Sequence, residues 1–157
     1  MPNHVVQPPE WIDSAPVCVE KSIEIDAPPA EVWRCVADHV RWPEWFTALD
    51  RVDITGLPTG VGGERRVVAR RLPIDEVFTV WDENEHFAFA ATSSRLVFLV
   101  TLAESIRLET TGSGCRVVYR QGLQGRRGFG VVVAQLGKQM AAGLDEGLAG
   151  LKARCES

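Results

Sequence analysis

The sequence predicts an α+β domain, an antiparallel sheet of about seven strands followed by a long C-terminal helix. Three observations predict this. Short alternating runs, bounded by turn residues, recur through the middle of the chain with connections too short for parallel crossovers. Residues 129 to 155 contain no proline and carry one apolar stripe at helical spacing. The segment IDAPPAEVWRCVADHVRWPEWF, Ile25 to Phe46, places two short helices directly after the first strand.

Residues 1–16, with Pro2, Pro8, Pro9 and Pro16, read as an extended N-terminal arm that Trp11 and Ile12 pin to the domain surface. The single domain then spans residues 17–155. From Val17 the chain alternates: Val17, Val19, Ile23 and Ile25 share one face of a half-buried strand. Pro28 and Pro29 suit a helix start, and Glu31 lies in its first turn, where the helix dipole favours a carboxylate. Val32, Val36 and Val40 recur at helical spacing until Pro43 ends this helix or opens a second. Strand-like runs follow at 51–54, 64–72, 75–81, 86–92, 96–109 and 115–123, with turns at Asp82–Asn84 and Thr111–Gly114. Leu136, Met140, Leu144, Leu148 and Leu151 mark one face of a final helix of roughly seven turns. Gly137, Gly143, Gly147 and Gly150 weaken that helix by about 1 kcal/mol each relative to Ala, so tertiary packing must hold it. These glycines allow close approach to the sheet or leave room for a ligand.

Composition narrows the function. The chain of 157 residues is 45% hydrophobic and 24% charged, with a formal charge of −4, the profile of one globular domain. An acidic balance argues against nucleic-acid binding, which needs a basic surface; arginines nevertheless cluster locally, Arg65, Arg66, Arg70 and Arg71 in one place, Arg126 and Arg127 in another. No apolar run reaches membrane-spanning length and the N-terminus lacks a signal-peptide pattern, so a cytoplasmic protein is expected. Cys18, Cys35, Cys115 and Cys155 form no CxxC pair and read as reduced thiols. His4, His39 and His86 stand apart from one another, and neither a metal site nor a cofactor is expected.

The order strand, helix, short helix, about six strands, long helix resembles the helix-grip fold of the START/Bet v 1-like superfamily (SRPBCC), and within it the polyketide cyclase/dehydrase-like group. The residues that carry the resemblance are Ile25–Trp33, Asp38, Trp42-Pro-Glu-Trp45, Gly60–Gly63 before a basic strand, Val77–Trp81 before a turn, and Gly114–Tyr119. It covers about residues 17 to 155. One departure is Cys115, which stands where the last hairpin of such proteins usually has threonine. The resemblance implies a curved antiparallel sheet that grips the long helix, with a cavity between them.

Strong catalytic signatures are absent: there is no HExxH, nucleophile elbow, P-loop or GxGxxG. The weak catalytic candidates are Glu76 and Arg70. Glu76 falls in the parity set of Ile74, Phe78 and Val80; if that face is internal, Glu76 is a buried carboxylate fit for proton transfer. If Val77, Thr79 and Trp81 face inward instead, Glu76 is solvated. Glu104 interrupts Leu102 and Ile106, and a cross-strand pair with Arg120 explains it simply. Arg70 has a surface reading and an anion-anchoring one. Trp33, Trp42, Trp45 and Phe46 either seal the core or line the cavity mouth. The candidate ligand-binding set is Trp33, Trp45, Phe46, Glu76, Phe78, Phe87, Phe89, Phe98, Glu104, Met140 and Leu144.

The leading expectation is a monomer or homodimer that binds a hydrophobic small molecule, such as a lipid, polyketide or isoprenoid, in an internal cavity. The alternatives are an aromatase/cyclase-like enzyme using Glu76 and Arg70, and a protein-interaction module without a ligand.

Overall fold

The computed structural model describes residues 1–157. Strand β1 (Val17–Ile25) leads into helix α1 (Pro29–Ala37) and a 3-10 turn at His39–Glu44. Six strands follow: β2 (Leu49–Ile54), β3 (Glu64–Ala69), β4 (Leu72–Asp82), β5 (His86–Ser94), β6 (Leu99–Thr111) and β7 (Gly114–Gly125). Helix α2 (Gly130–Glu156) closes the chain. The strands form one sheet in the order β1-β7-β6-β5-β4-β3-β2, and every pairing is antiparallel. This is the helix-grip arrangement, with α2 packed across the inner face.

The alternation of β1 places Val19 and Ile25 in the core. Lys21 shares their face but sits at the sheet edge, where it reaches Asp145 of α2 at 3.2 Å. Pro29 opens α1 at a position whose amide needs no partner, and Val32, Trp33 and Val36 turn inward. Val40 does not join them. The helix ends at Ala37, and Val40 falls in the 3-10 turn, 59% exposed. A 3-10 turn advances about 120° per residue instead of about 100°, which carries Val40 off the apolar face. Pro43 lies inside that turn instead of marking its start.

The run Glu64 to Leu72 is not one strand: β3 ends at Ala69 and Leu72 already begins β4. Ala69 pairs with Leu72 across a two-residue hairpin whose central residues, Arg70 and Arg71, both have positive φ (49° and 70°). Tight hairpins favour that geometry, usually with Asn and Gly, and neither residue advertises it here. β4 starts at Leu72 and bulges between Phe78 and Val80. The bulge switches parity, so Glu76 and Phe78 face inward before it and Trp81 packs against the core after it. Both parity readings of β4 are therefore right over part of its length.

The first sixteen residues are docked, not free. Asn3 bridges Ser93, and His4 hydrogen-bonds the Leu99 carbonyl and the Ser94 hydroxyl. A 3-10 turn at Pro9–Ser14 buries Ile12 against Ala90 and Ala103 on the outer face of the sheet. All four cysteines are free thiols, with Cys35 and Cys155 bringing α1 and the end of α2 together at 3.5 Å.

The glycines of α2 divide into two kinds. A Cβ on Gly150 would collide with the Trp45 carbonyl, and one on Gly147 would press the Phe46 ring at 3.0 Å. Gly143 is different: its Cβ direction meets nothing closer than the Ala48 Cβ at 3.8 Å. Gly143→Ala is therefore expected to stabilise the protein by up to about 1 kcal/mol through helix propensity. Gly150→Ala is expected to destabilise it, because backbone must move. Urea unfolding of the two variants checks this; equal effects would contradict it.

Candidate functional site

The inner face of the sheet is divided by one row of polar side chains. Arg65 on β3 stands directly opposite Glu76 on β4, and Glu104 on β6 stands opposite Gln121 on β7. To one side the space is filled: His39, Phe78, Trp81 and Phe87 pack with ring centroids 4.8–5.7 Å apart. To the other side it is open. A cavity of about 190 Å³ is bounded by Val67 and Ala69 on β3, Ile74 on β4, Leu102 on β6, and Leu136, Met140 and Gly143 on α2. Of its 21 lining residues, 14 are hydrophobic. The polar row forms its floor.

The floor holds two linked groups. The Arg65 Nε donates to Glu76 Oε1 at 2.7 Å, and Nη1 donates to His39 Nδ1 at 2.9 Å. The guanidinium also lies 4.2 Å from the Trp42 ring centroid and 4.5 Å from that of Phe89, so aromatic faces replace part of its lost hydration. Arg65 is 1% exposed and Glu76 4%. Burial, and then the Arg65 charge, push His39 down to about 3, so it remains a neutral acceptor. Burial pushes the Glu76 carboxyl up, while Arg65 pulls it back.

In the second group Glu104 Oε1 accepts from the Tyr119 hydroxyl at 3.0 Å and from Gln121 Nε2 at 2.7 Å. Burial, and then the neighbouring Glu76 carboxylate, push Glu104 up to about 7. Burial followed by Glu104 holds the Tyr119 phenol well above its ordinary value. The Gln121 Oε1 is buried and has no partner. A proton donor near neutrality and an unsatisfied acceptor therefore meet an apolar cavity.

The candidates from the sequence divide between cavity and core, with Phe46 and Phe89 touching both. Phe46, Glu76, Phe89, Glu104, Met140 and Arg70 border the cavity. Trp33, Trp45, Phe78, Phe87 and Leu144 instead belong to the packed core, where Trp33 meets Trp81 edge-on at 5.2 Å. Phe98 stacks on Phe129 beside the start of α2 and does not border the cavity. The Glu104–Arg120 pair does not form. Arg120 faces the outer side opposite Ser105 and bonds Glu20 at 2.9 Å and Asp13 at 2.8 Å. Strand parity puts residue 119 or 121, not 120, on the face of Glu104. Arg65, Tyr119 and Gln121 also border the cavity and are not among the site residues expected from the sequence. Their signal was present: each is a polar-tipped residue in a run of inward parity, Arg65-x-Val67-x-Ala69 and Tyr119-x-Gln121-x-Leu123.

A family model described as polyketide cyclase / dehydrase and lipid transport matches residues 16–156. The chain belongs to this family. Solved structures of other proteins share its architecture. TTHA0849 from Thermus thermophilus superimposes with a TM-score of 0.73 at 20% identity, over 88% of this chain and 96% of that one. A START superfamily protein from Mycobacterium smegmatis gives 0.72 at 14% identity, over 88% and 98%. Ara h 8.0201 gives 0.68 at 16%, over 88% and 96%. Likenesses at these identities concern the fold. Uncharacterised proteins of Mycobacterium tuberculosis and Mycobacterium bovis are 26% identical over 111 residues, 69% of this chain and 66% of their own length. Family membership and fold together support a hydrophobic ligand-binding domain. No helix is long and apolar enough to cross a membrane.

Proposed function

We propose that the chain binds a small amphipathic molecule in this cavity, its apolar body against β3, β6 and α2 and its one polar end at Glu104 and Gln121. The observation that carries the reading is the apolar cavity ending on a buried carboxyl with an unpartnered amide oxygen beside it. An unmade hydrogen bond at a buried group is costly, so a ligand hydroxyl or amine that supplies it gains both affinity and orientation. The volume of about 190 Å³ lies below the roughly 300–1,000 Å³ of drug-sized sites. This favours one or two rings, or a single chain, over a large polycycle. Lipid, polyketide and isoprenoid fragments all satisfy that chemistry. An open cavity also weighs against an interaction module, which would fill its interior with side chains.

Native mass spectrometry of protein purified from its host tests the reading, together with thermal shifts across a panel of such compounds. A ligand at about 100 times its Kd should stabilise the fold by about 2.7 kcal/mol. Gly143→Leu projects a side chain into the lumen from a position with room at Cβ, and is expected to abolish the shift while the variant stays folded. A panel that stabilises neither protein, with no ligand co-purified, would sink the proposal.

A second reading, the cyclase-like one, draws support from the same carboxyl. A group titrating at about 7 next to a phenol is suited to general acid–base work on an enolisable ligand. In that reading Glu104 replaces Glu76 as the proton carrier, because Glu76 is held by Arg65. Glu104→Gln would abolish turnover of a poly-β-ketone probe while retaining its binding.

A further inference from the structure

Three turns meet at the open end of the cavity. They are the β3–β4 hairpin with Arg70 and Arg71, the β5–β6 connection with Arg95 to Phe98, and the β7–α2 connection from Arg126 to Phe129. Ile74 pairing with Ser94 brings the first two together. The Arg126 amide bonded to the Phe98 carbonyl at 2.7 Å, and Phe98 stacked on Phe129, bring in the third. Arg70 and Leu96 belong both to these turns and to the cavity lining, and Leu72, which also lines it, directly follows the first turn.

The surface they present is unusual for this chain. Arg70, Arg71, Arg95, Arg126 and Arg127 are exposed, and none of them forms an ion pair. Asp50 accepts the Arg71 amide at 2.7 Å, and the nearby Asp75 is taken up by Arg66. Residues 110–144 contain no Asp or Glu, although the whole chain carries −4. Between the arginines stand exposed apolar side chains: Val97 at 62%, Phe129 at 42% and Val131 at 86%. Leaving these tips in water costs hydrophobic free energy, and soluble surfaces seldom group them around like charges.

We infer that this rim is a docking surface for an anionic phospholipid bilayer, laid so that the cavity mouth faces the lipid. The inference rests on the cavity being an apolar-ligand site and names the phase from which its ligand enters. Arginines pair with lipid phosphates while apolar tips sink into the interface, and the two contributions add. Nucleic acid would use the arginines but leave Val97, Phe129 and Val131 exposed. A purely apolar protein partner would leave the unpaired arginines facing nothing. The combination fits a headgroup layer over acyl chains.

The test is co-sedimentation of the intact chain with phosphatidylcholine vesicles, with and without phosphatidylglycerol. Binding is expected with phosphatidylglycerol alone, falling as salt rises. Arg126→Ala with Arg127→Ala should weaken partition on the order of 25-fold, about fivefold per arginine. Val97→Asp with Val131→Asp should remove binding even at low salt. Binding that survives the aspartates but not the alanines would mean simple charge attraction and would overturn the inference. So would equal binding to neutral vesicles, preference for an oligonucleotide competitor, or no binding at all. None of these four residues lines the cavity, so the soluble-ligand thermal shift should persist in both variants. Conversely, Gly143→Leu should lose the shift and keep vesicle binding, which separates failure of docking from failure of the cavity reading.

Discussion

Arg65→Met is expected to destabilise the protein by about 3–5 kcal/mol, the usual consequence of removing one partner from a buried ion pair. The magnitude follows from what is left behind. Glu76, 4% exposed, would lose its partner at 2.7 Å, and His39 would lose the donor to its Nδ1. The faces of Trp42 and Phe89 would lose the cation packed on them. Adding Glu76→Leu to Arg65→Met should recover much of the loss, because an apolar pair of similar volume carries no desolvated charge. Equilibrium denaturation of the two single variants and the double variant measures this as a coupling energy. If the double variant is as unstable as the sum of the singles, the pair is not what organises the floor. Arg65→Lys should not substitute, since an ammonium cannot hold a carboxylate and an imidazole along fixed directions while lying flat on two rings.

Glu104→Gln is expected to change the pH dependence of stability more than stability itself. In the folded protein Glu104 titrates at about 7, against an ordinary 4.5. Between those values the folded chain keeps a proton that the unfolded chain has released. The Glu104 contribution to stability is therefore fully present below pH about 4.5 and is lost as pH rises through about 7. At about 1.4 kcal/mol per pKa unit, the decline is on the order of 3 kcal/mol. His39 acts in the opposite sense. Its ordinary 6.5 falls to about 3, so its contribution is present above pH 6.5 and is lost as pH falls. The two slopes oppose each other in wild type, and a single melting curve would conceal both. The difference between Glu104→Gln and wild type isolates Glu104, since His39 is common to both. That difference should grow in favour of the variant from pH about 4.5 to about 8. Parallel stability curves over this range would show that Glu104 carries no shifted proton.

How far the site was legible depended on strand parity. Where a strand runs without a bulge, as β6 and β7 do through residues 101–125, alternation identifies which side chains point inward. Glu104 was found by that rule. Tyr119 and Gln121 were open to the same rule, and the expected partner Arg120 broke it. β4 could not be resolved this way, because the bulge after Phe78 lets two parity sets each face inward for part of the strand. The aromatic residues were harder. Apolar character says that Phe78, Phe87 and Trp33 are inside, but not whether they fill space or border it. Here Phe46 and Phe89 border the cavity while Phe78 and Phe87 fill the packed half, so residue type alone does not separate them.

By itself, the sequence determined the element order, the antiparallel sheet and the closing helix. These follow from local signals: a period of two, a period of about 3.6, and turn residues between them. It also identified that something must hold a glycine-rich helix in place. Only the tertiary structure decided which glycine faces a void and which meets the Trp45 backbone. It alone decided that Arg65 and Glu76, eleven positions apart, meet at 2.7 Å, and that Glu104 lies close enough to feel the result. The physical reason is that pairing across strands and burial are properties of the closed sheet. Register, bulges and the seat of the helix set them together, and no local run of residues encodes them alone.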